Sequence, residues 1–252
     1  MRAIILAGGK GTRLAPYTTV FPKPLVPVGD MPILEIVVRQ LSHFGIHKIT
    51  LAVGHLAELI MAYFGDGSRY GVQIDYSREE QPLGTAGPIS LVKGLDSTFL
   101  VMNGDLLTTL DFRDLLESHR RSGALVTVAA YERKVRIDLG ILDMDASGRI
   151  CGYIEKPTYT HRVSMGIYVF EPQVFKYVSS GVRIDLPELV TRVLEDGQHV
   201  QAHVFNGFWL DIGRPADYSL AVQYCDHLRP ALLHEEGVDI EALQSKVVLT
   251  TL

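Results

Sequence analysis

Two basic residues stand in a setting suited to holding phosphate. The run Leu6-Ala-Gly-Gly-Lys-Gly-Thr-Arg-Leu14 puts Arg13 at the end of a glycine-rich turn, and Pro22-Lys-Pro-Leu-Val-Pro-Val28 fences Lys23 between prolines. Glycines that follow a buried strand let the backbone approach a ligand closely, so that successive N–H groups cradle phosphate oxygens. Pro22 and Pro24 restrict the chain around Lys23, which lowers the cost of fixing its ammonium in place. The chemistry implied is the grip of two placed cations on one polyphosphate. Two common phosphate loops do not fit. Lys10 is followed by Gly11 where a Walker loop needs Ser or Thr, and Leu14 stands where a dinucleotide fingerprint needs its third glycine. A surface turn with two solvated bases is the plainer alternative, and it leaves the placement of both cations without a reason.

The elements that would position these residues alternate regularly. Arg2–Leu6 reads as a buried strand running into the glycine turn, and Ile33, Leu34, Val37, Val38 and Leu41 follow helical spacing after Pro32 up to Gly45. Lys48–Val53, Val72–Tyr76 and Phe99–Met102 read as strands, Leu56–Phe64 as a helix and Gly87–Lys93 as a short one. Asp111 is placed to cap a helix through His119 to Gly123, ahead of a strand at Leu125–Ala130. This alternation predicts an α/β fold: a single Rossmann-like domain with a mixed, mostly parallel sheet flanked by helices. Ligands of such sheets sit at the carboxyl ends of strands, where Gly8 to Arg13 and Asp105 fall.

The second half reads differently. Asp143 to Gly148 is a hairpin-type turn, and Ile150–Glu155 and Ser164–Phe170 read as strands of an insertion that returns to the sheet. Helices at Leu186–Glu195 and Ala216–Leu228 flank an expected last strand pair, Val200–Phe205 with Phe208–Ile212. No Pro, Gly or Ser-rich linker separates the halves. The expected organisation is one domain over residues 1–228, with a first half at about 1–131, a substrate-side second half at about 132–228, and a tail at 229–252. That tail lacks the hexapeptide period of a β-helix.

Composition removes other classes. The net charge of −5 over 252 residues gives no general attraction to nucleic acid or an anionic membrane. No apolar run approaches the ~20 residues of a membrane helix, and the start lacks a signal peptide's apolar core. Cys151 and Cys225 are far apart and in no metal spacing, so two reduced thiols in a cytoplasmic protein are expected. The nine histidines form no zinc or hydrolase motif. His55, just after a strand and Gly54, is placed either to line a ligand site or, as the plainer reading, to stand as a surface residue leading a helix, and Trp209 reads as core packing. Asp143-Met-Asp145, a possible metal pair, runs into Ser147-Gly148 and reads as a turn.

The two phosphate motifs together resemble the sugar-1-phosphate nucleotidylyltransferases, whose signature is L-A-G-G-x-G-T-R-L followed by P-K-P-L-x-P-V. The resemblance runs from about Arg2 to Leu228 and includes Gln81-Pro-Leu-Gly-Thr-Ala-Gly87, Asn103-Gly-Asp105, Glu155-Lys-Pro157, Gly166-Ile-Tyr-Val-Phe170 and Trp209-Leu-Asp-Ile-Gly213. It implies that Leu6, Ala7, Gly8, Gly9, Gly11, Thr12, Gln81, Gly84 and Thr85 bind a nucleoside triphosphate (NTP). Arg13 would hold the departing β- and γ-phosphates, and Lys23 the α-phosphate. It also implies Mg²⁺, a hard ion that takes oxygen ligands, with Asp105 and Asp211 as the metal ligands; an Asp capping a turn is the structural alternative for each. Gly140, Glu155, Lys156 and Ser164 would meet the sugar phosphate, Ser164 standing where many relatives have Asn, a residue with longer reach.

Leu83-Gly-Thr-Ala-Gly87 resembles the guanylyl-transferring branches that make GDP-mannose or GDP-heptose, so GTP is the preferred donor. Those branches often have Glu in place of Gln81, and Gln81 would equally suit uracil or thymine. UTP or dTTP with glucose 1-phosphate is therefore the alternative. A non-catalytic regulatory subunit is another, although all four charged residues it would be expected to lose are present. The partners expected are an NTP and a sugar 1-phosphate, with a homo-oligomer open.

Overall fold

The computed structural model describes residues 1–234. In chain order its elements are β1 (Arg2–Ala7), β2 (Pro27–Val28), β3 (Met31–Pro32), α1 (Ile33–His43), β4 (Lys48–Val53), α2 (Ala57–Phe64), β5 (Gln73–Arg78), β6 (Phe99–Asn103), β7 (Leu106–Thr108) and α3 (Phe112–Ser122). There follow β8 (Val126–Arg136), β9 (Ile141–Met144), β10 (Ile150–Ile154), β11 (Thr158–Phe170), α4 (Leu186–Glu195), β12 (Val200–Phe205), β13 (Trp209–Asp211) and α5 (Pro215–Leu232). Seven strands form one sheet in the order β12-β8-β11-β6-β1-β4-β5. All neighbours are parallel except β11, which runs antiparallel between β6 and β8.

The apolar spacing of the helices accounts for the layers. Leu34, Val37, Val38 and Leu41 of α1 pack on one face of the sheet with Ala57, Ile60 and Phe64 of α2 and Phe112 and Leu115 of α3. The other face is covered by Leu186, Leu189 and Val193 of α4 with Ala86 and Ile89. Fully burying a side chain such as Phe112 contributes about 1.5–3 kcal/mol. Asp111 caps α3, its carboxylate accepting from Arg113 N at 2.7 Å.

Three expectations are corrected. Val200–Phe205 and Phe208–Ile212 do not pair with each other: β12 lies parallel to β8 in the main sheet, whereas β13 lies antiparallel to β7. The strand at Leu125–Ala130 extends to Arg136 because β11 pairs along its whole length and shelters its hydrogen bonds. The last helix continues past Leu228 to Leu232, since Leu228, Ala231 and Leu232 are buried against the body of the molecule. Of the tail, residues 235–252 lie outside the described residues.

Candidate active site

A cleft of about 1090 Å³ opens at the carboxyl ends of β1, β4 and β6. Leu6, Ala7, Gly8, Gly9, Gly11, Thr12 and Arg13 line it from the turn after β1, Lys23 from the next loop, Gln81, Gly84 and Thr85 from the loop after β5, and Asp105 from the turn after β6. Gly11 takes φ +62, and a Cβ there would stand 2.9 Å from Lys23 Cβ, so the glycine turn wraps directly around the Lys23 stem. The Thr18 hydroxyl donates to Gly11 O at 2.8 Å and closes the loop between the two motifs.

The fold joins charges that the sequence separates. Lys23 is 8% exposed and forms an ion pair with Asp105. The β7–β13 ribbon pairs Asp211 with Leu106, and Ile212 N donates to Asp105 O at 3.1 Å, which sets the two aspartates side by side. Burial pushes the Asp211 carboxyl up, and the negative charge of Asp105 adds to the effect, against partial relief from Lys23 and Arg13. Arg13 reaches this group from the other side, its guanidinium lying against Gly213. Two cations and two carboxylates therefore lie together, Arg13, Lys23 and Asp105 lining the cleft and Asp211 standing beside Asp105 outside its lining. The crowded carboxylates, an all-oxygen set, suit Mg²⁺, with phosphate and water supplying the remaining ligands. Among the described residues no group of three or more His, Cys, Asp or Glu is placed to hold a metal ion by itself.

Of the residues expected on the sugar side, Gly140, Glu155 and Lys156 gather at the root of the β9–β10 hairpin, whereas Ser164 lies farther along β11, opposite Ala130 of β8; none of the four lines the cleft. Tyr153 donates to Glu155 at 2.9 Å and lies where a side chain at Gly140 would go. Lys156 takes φ +45, with its ammonium 3.9 Å from the Glu155 carboxylate. Ser164 stands at an irregularity of β11, bonded to Tyr168 Oη at 2.8 Å. Two residues on, a Cβ at Gly166 would stand 2.6 Å from the Asn103 amide, and Asn103 lines the cleft.

A family model described as nucleotidyl transferase matches residues 2–226. The chain belongs to the nucleotidyl transferase family. It is 36% identical over 243 residues to the UTP–glucose-1-phosphate uridylyltransferase of Synechocystis sp., covering 88% of this chain and 63% of that one. It is 35% identical over 222 residues to the mannose-1-phosphate guanylyltransferase of Mycobacterium tuberculosis, covering 86% and 62%. The chain thus spans somewhat under two thirds of the length of these relatives. In fold it is similar to HddC of Yersinia pseudotuberculosis, solved with GMP-PN, with a TM-score of 0.68 at 25% identity over 89% of this chain and 99% of that one.

Several residues of the cleft escaped the sequence reading. Glu79 accepts from Leu83 N at 3.0 Å, and its other oxygen lies 2.6 Å from where a Cβ at Gly8 would be, so only glycine there leaves it room. Glu79 follows β5 at its carboxyl end, and the rule that pointed to Gly8 and Asp105 points to it as well. Lys10, Arg78, Glu80 and Arg183 also line the cleft. His55 lines it too, the less favoured of its two readings, because its N–H bonds Gly8 O at 3.1 Å and ties the turn after β4 to the glycine turn. Thr85 is engaged within the protein: its N–H donates to Asp185 at 2.9 Å and its hydroxyl accepts from Leu186 N at 2.8 Å.

Proposed function

We propose that this nucleotidyl transferase moves a nucleoside monophosphate from GTP to a sugar 1-phosphate of the mannose or heptose type and releases pyrophosphate. The observation that carries the reading is the grouping of Arg13, Lys23 and Asp105 in a cleft walled by the glycine turn, with Asp211 beside them. An oxygen of the sugar phosphate attacks the α-phosphorus; the bond to the oxygen bridging to the β-phosphate breaks, and that electron pair leaves with pyrophosphate. Such transfers need position and neutralised charge more than covalent help. Arg13 takes the departing phosphates and Lys23 the α-phosphate, while the backbone of Gly8, Gly9 and Gly11 orients the chain of phosphates. Mg²⁺ held by Asp105 and Asp211 would add charge neutralisation on the phosphate oxygens when bound.

Glu79 supports a guanine base. A carboxylate anchored through one oxygen offers an acceptor to the adjacent N1–H and N2–H₂ donors of guanine, and Gln81 beside it can donate to O6. On the sugar side, Glu155 accepts from hydroxyls, Lys156 meets the phosphate, and Gly140 and Ser164 complete the subsite. A second reading, UTP or dTTP with glucose 1-phosphate, draws on the Synechocystis relative, since the single N3–H of uracil also suits Glu79. Arg13, Lys23, Asp105 and Asp211 are all retained, which favours an enzyme over a regulatory subunit. The described residues hold no helix long and apolar enough to cross a membrane.

Pyrophosphate release with Mg²⁺, crossing four NTPs against mannose, glucose and heptose 1-phosphates, tests the reading. Release dominated by GTP is the expected result. Dominance of UTP or dTTP selects the second reading. NTP binding without release from any pair points to a regulatory subunit, and absence of NTP binding contradicts the account.

A further inference from the structure

Away from the cleft, α1 and the segment after α2 enclose a depression of about 410 Å³. At its floor Glu35, 6% exposed, accepts from the Tyr63 hydroxyl at 2.5 Å, from the Tyr70 hydroxyl at 3.4 Å and from Arg39 Nε at 2.8 Å. Arg69 lies over both rings, 4.8 Å from the centre of Tyr63 and 4.6 Å from that of Tyr70, and donates to the Tyr70 hydroxyl. Arg39 lies 5.4 Å from the centre of Tyr70. One buried carboxylate thus fixes one guanidinium and two tyrosines, and the tyrosine rings fix the second guanidinium.

The charge does not balance within this group. Glu35 answers Arg39, and Asp30 at the rim is paired with Arg229 at 2.7 Å. Among the described residues Arg69 forms no ion pair with a carboxylate. A guanidinium held by its face keeps edge N–H groups for an acceptor lying in its plane, the geometry that suits a phosphate oxygen. A preorganised pair of arginines carrying one uncompensated positive charge therefore lines a hollow on a chain of net charge −5.

We propose that this depression is a second anion site, separate from the catalytic cleft, which takes the phosphoryl group of a small molecule between Arg39 and Arg69. Asp30 and Met31 line it as well, and the β2–β3 ribbon to which Met31 belongs connects the Lys23 turn to α1, with Ile33 N donating to Val26 O at 3.2 Å. An anion seated here bears on the segment that carries Lys23.

The test is calorimetric titration of the full chain carrying Arg13→Gln and Lys23→Gln, which weakens anion binding in the cleft, with inorganic phosphate as the first probe and glucose 6-phosphate as the second. Phosphate is expected to bind this protein, and adding Arg69→Gln or Arg39→Gln to weaken binding about tenfold or more, the worth of a charge-assisted hydrogen bond. Arg69 is exposed, so its substitution leaves the fold intact, which circular dichroism checks. Tighter binding of glucose 6-phosphate than of phosphate, lost with Arg69→Gln, identifies a sugar phosphate as the ligand; equal binding identifies the free anion. Absence of phosphate binding to the cleft-silenced protein, or binding unchanged by Arg69→Gln, overturns the proposal. Pyrophosphate release does not involve these arginines, so this failure is distinct from failure of the nucleotidyl transfer reading.

Discussion

Lys23 and Asp211 keep polar groups where water is scarce. The Lys23 ammonium is buried against Asp105, and the half-buried Asp211 carboxyl is pushed up by burial and by the charge of Asp105, which argues that both groups serve the reaction. Lys23→Ala and Asp211→Asn should each lower turnover by about 10²–10³-fold, the scale of removing one preorganised charge contact in a transition state. The two differ in stability. Asp211→Asn removes a carboxylate whose charged form the fold disfavours, so its melting temperature should rise while turnover falls. Lys23→Ala leaves Asp105 without its ion pair, so its melting temperature should fall. Steady-state rates and thermal melts on the same samples check both signs; normal turnover in both variants would contradict the assigned roles.

At the scale of elements, short turns and ribbons hold the site in register. The turn after β1 accepts Glu79 only because residue 8 has no Cβ. Gly8→Ala should displace that carboxylate and narrow the preference among NTPs by about tenfold, in line with the loss of one charge-assisted bond; selectivity measured across the four NTPs reads this out. Helix α1 is tied to Tyr63 and Tyr70 through Glu35. Burial alone would raise the Glu35 carboxyl, but hydrogen bonds from Tyr63 and Arg39 and the Arg39 charge hold it below its ordinary value of 4.5. A lowered native value means that Glu35 contributes stability above about 4.5, and that this contribution is lost as pH falls through the native value. Glu35→Gln should therefore flatten the acid limb of stability against pH, measured by urea unfolding between pH 3 and 7; an unchanged limb would contradict this coupling.

Across the whole molecule, the sheet was legible in the sequence wherever strands are buried on both faces and helices carry an apolar stripe, as in β1, α1, β4 and α4. The glycine turn, Lys23 and Asp105 were legible for a related reason: each follows a strand at the edge where α/β sheets bind ligands. What sequence could not give was pairing between distant segments. Nothing local in Trp209–Asp211 says that it pairs with β7 instead of β12, yet that choice sets Asp211 beside Asp105. Glu79 stayed hidden because one exposed-looking Arg-Glu-Glu run resembles any solvated loop until Gly8 and Leu83 are seen to enclose it.

The central claim is attack at the α-phosphorus. Incubating the protein with Mg²⁺, mannose 1-phosphate and GTP labelled at either the α- or the γ-phosphate, and then separating the products, tests it most directly. The account predicts α-label in a sugar nucleotide and γ-label in pyrophosphate. Transfer of γ-label to the sugar, or its release as inorganic phosphate with GDP, would contradict it.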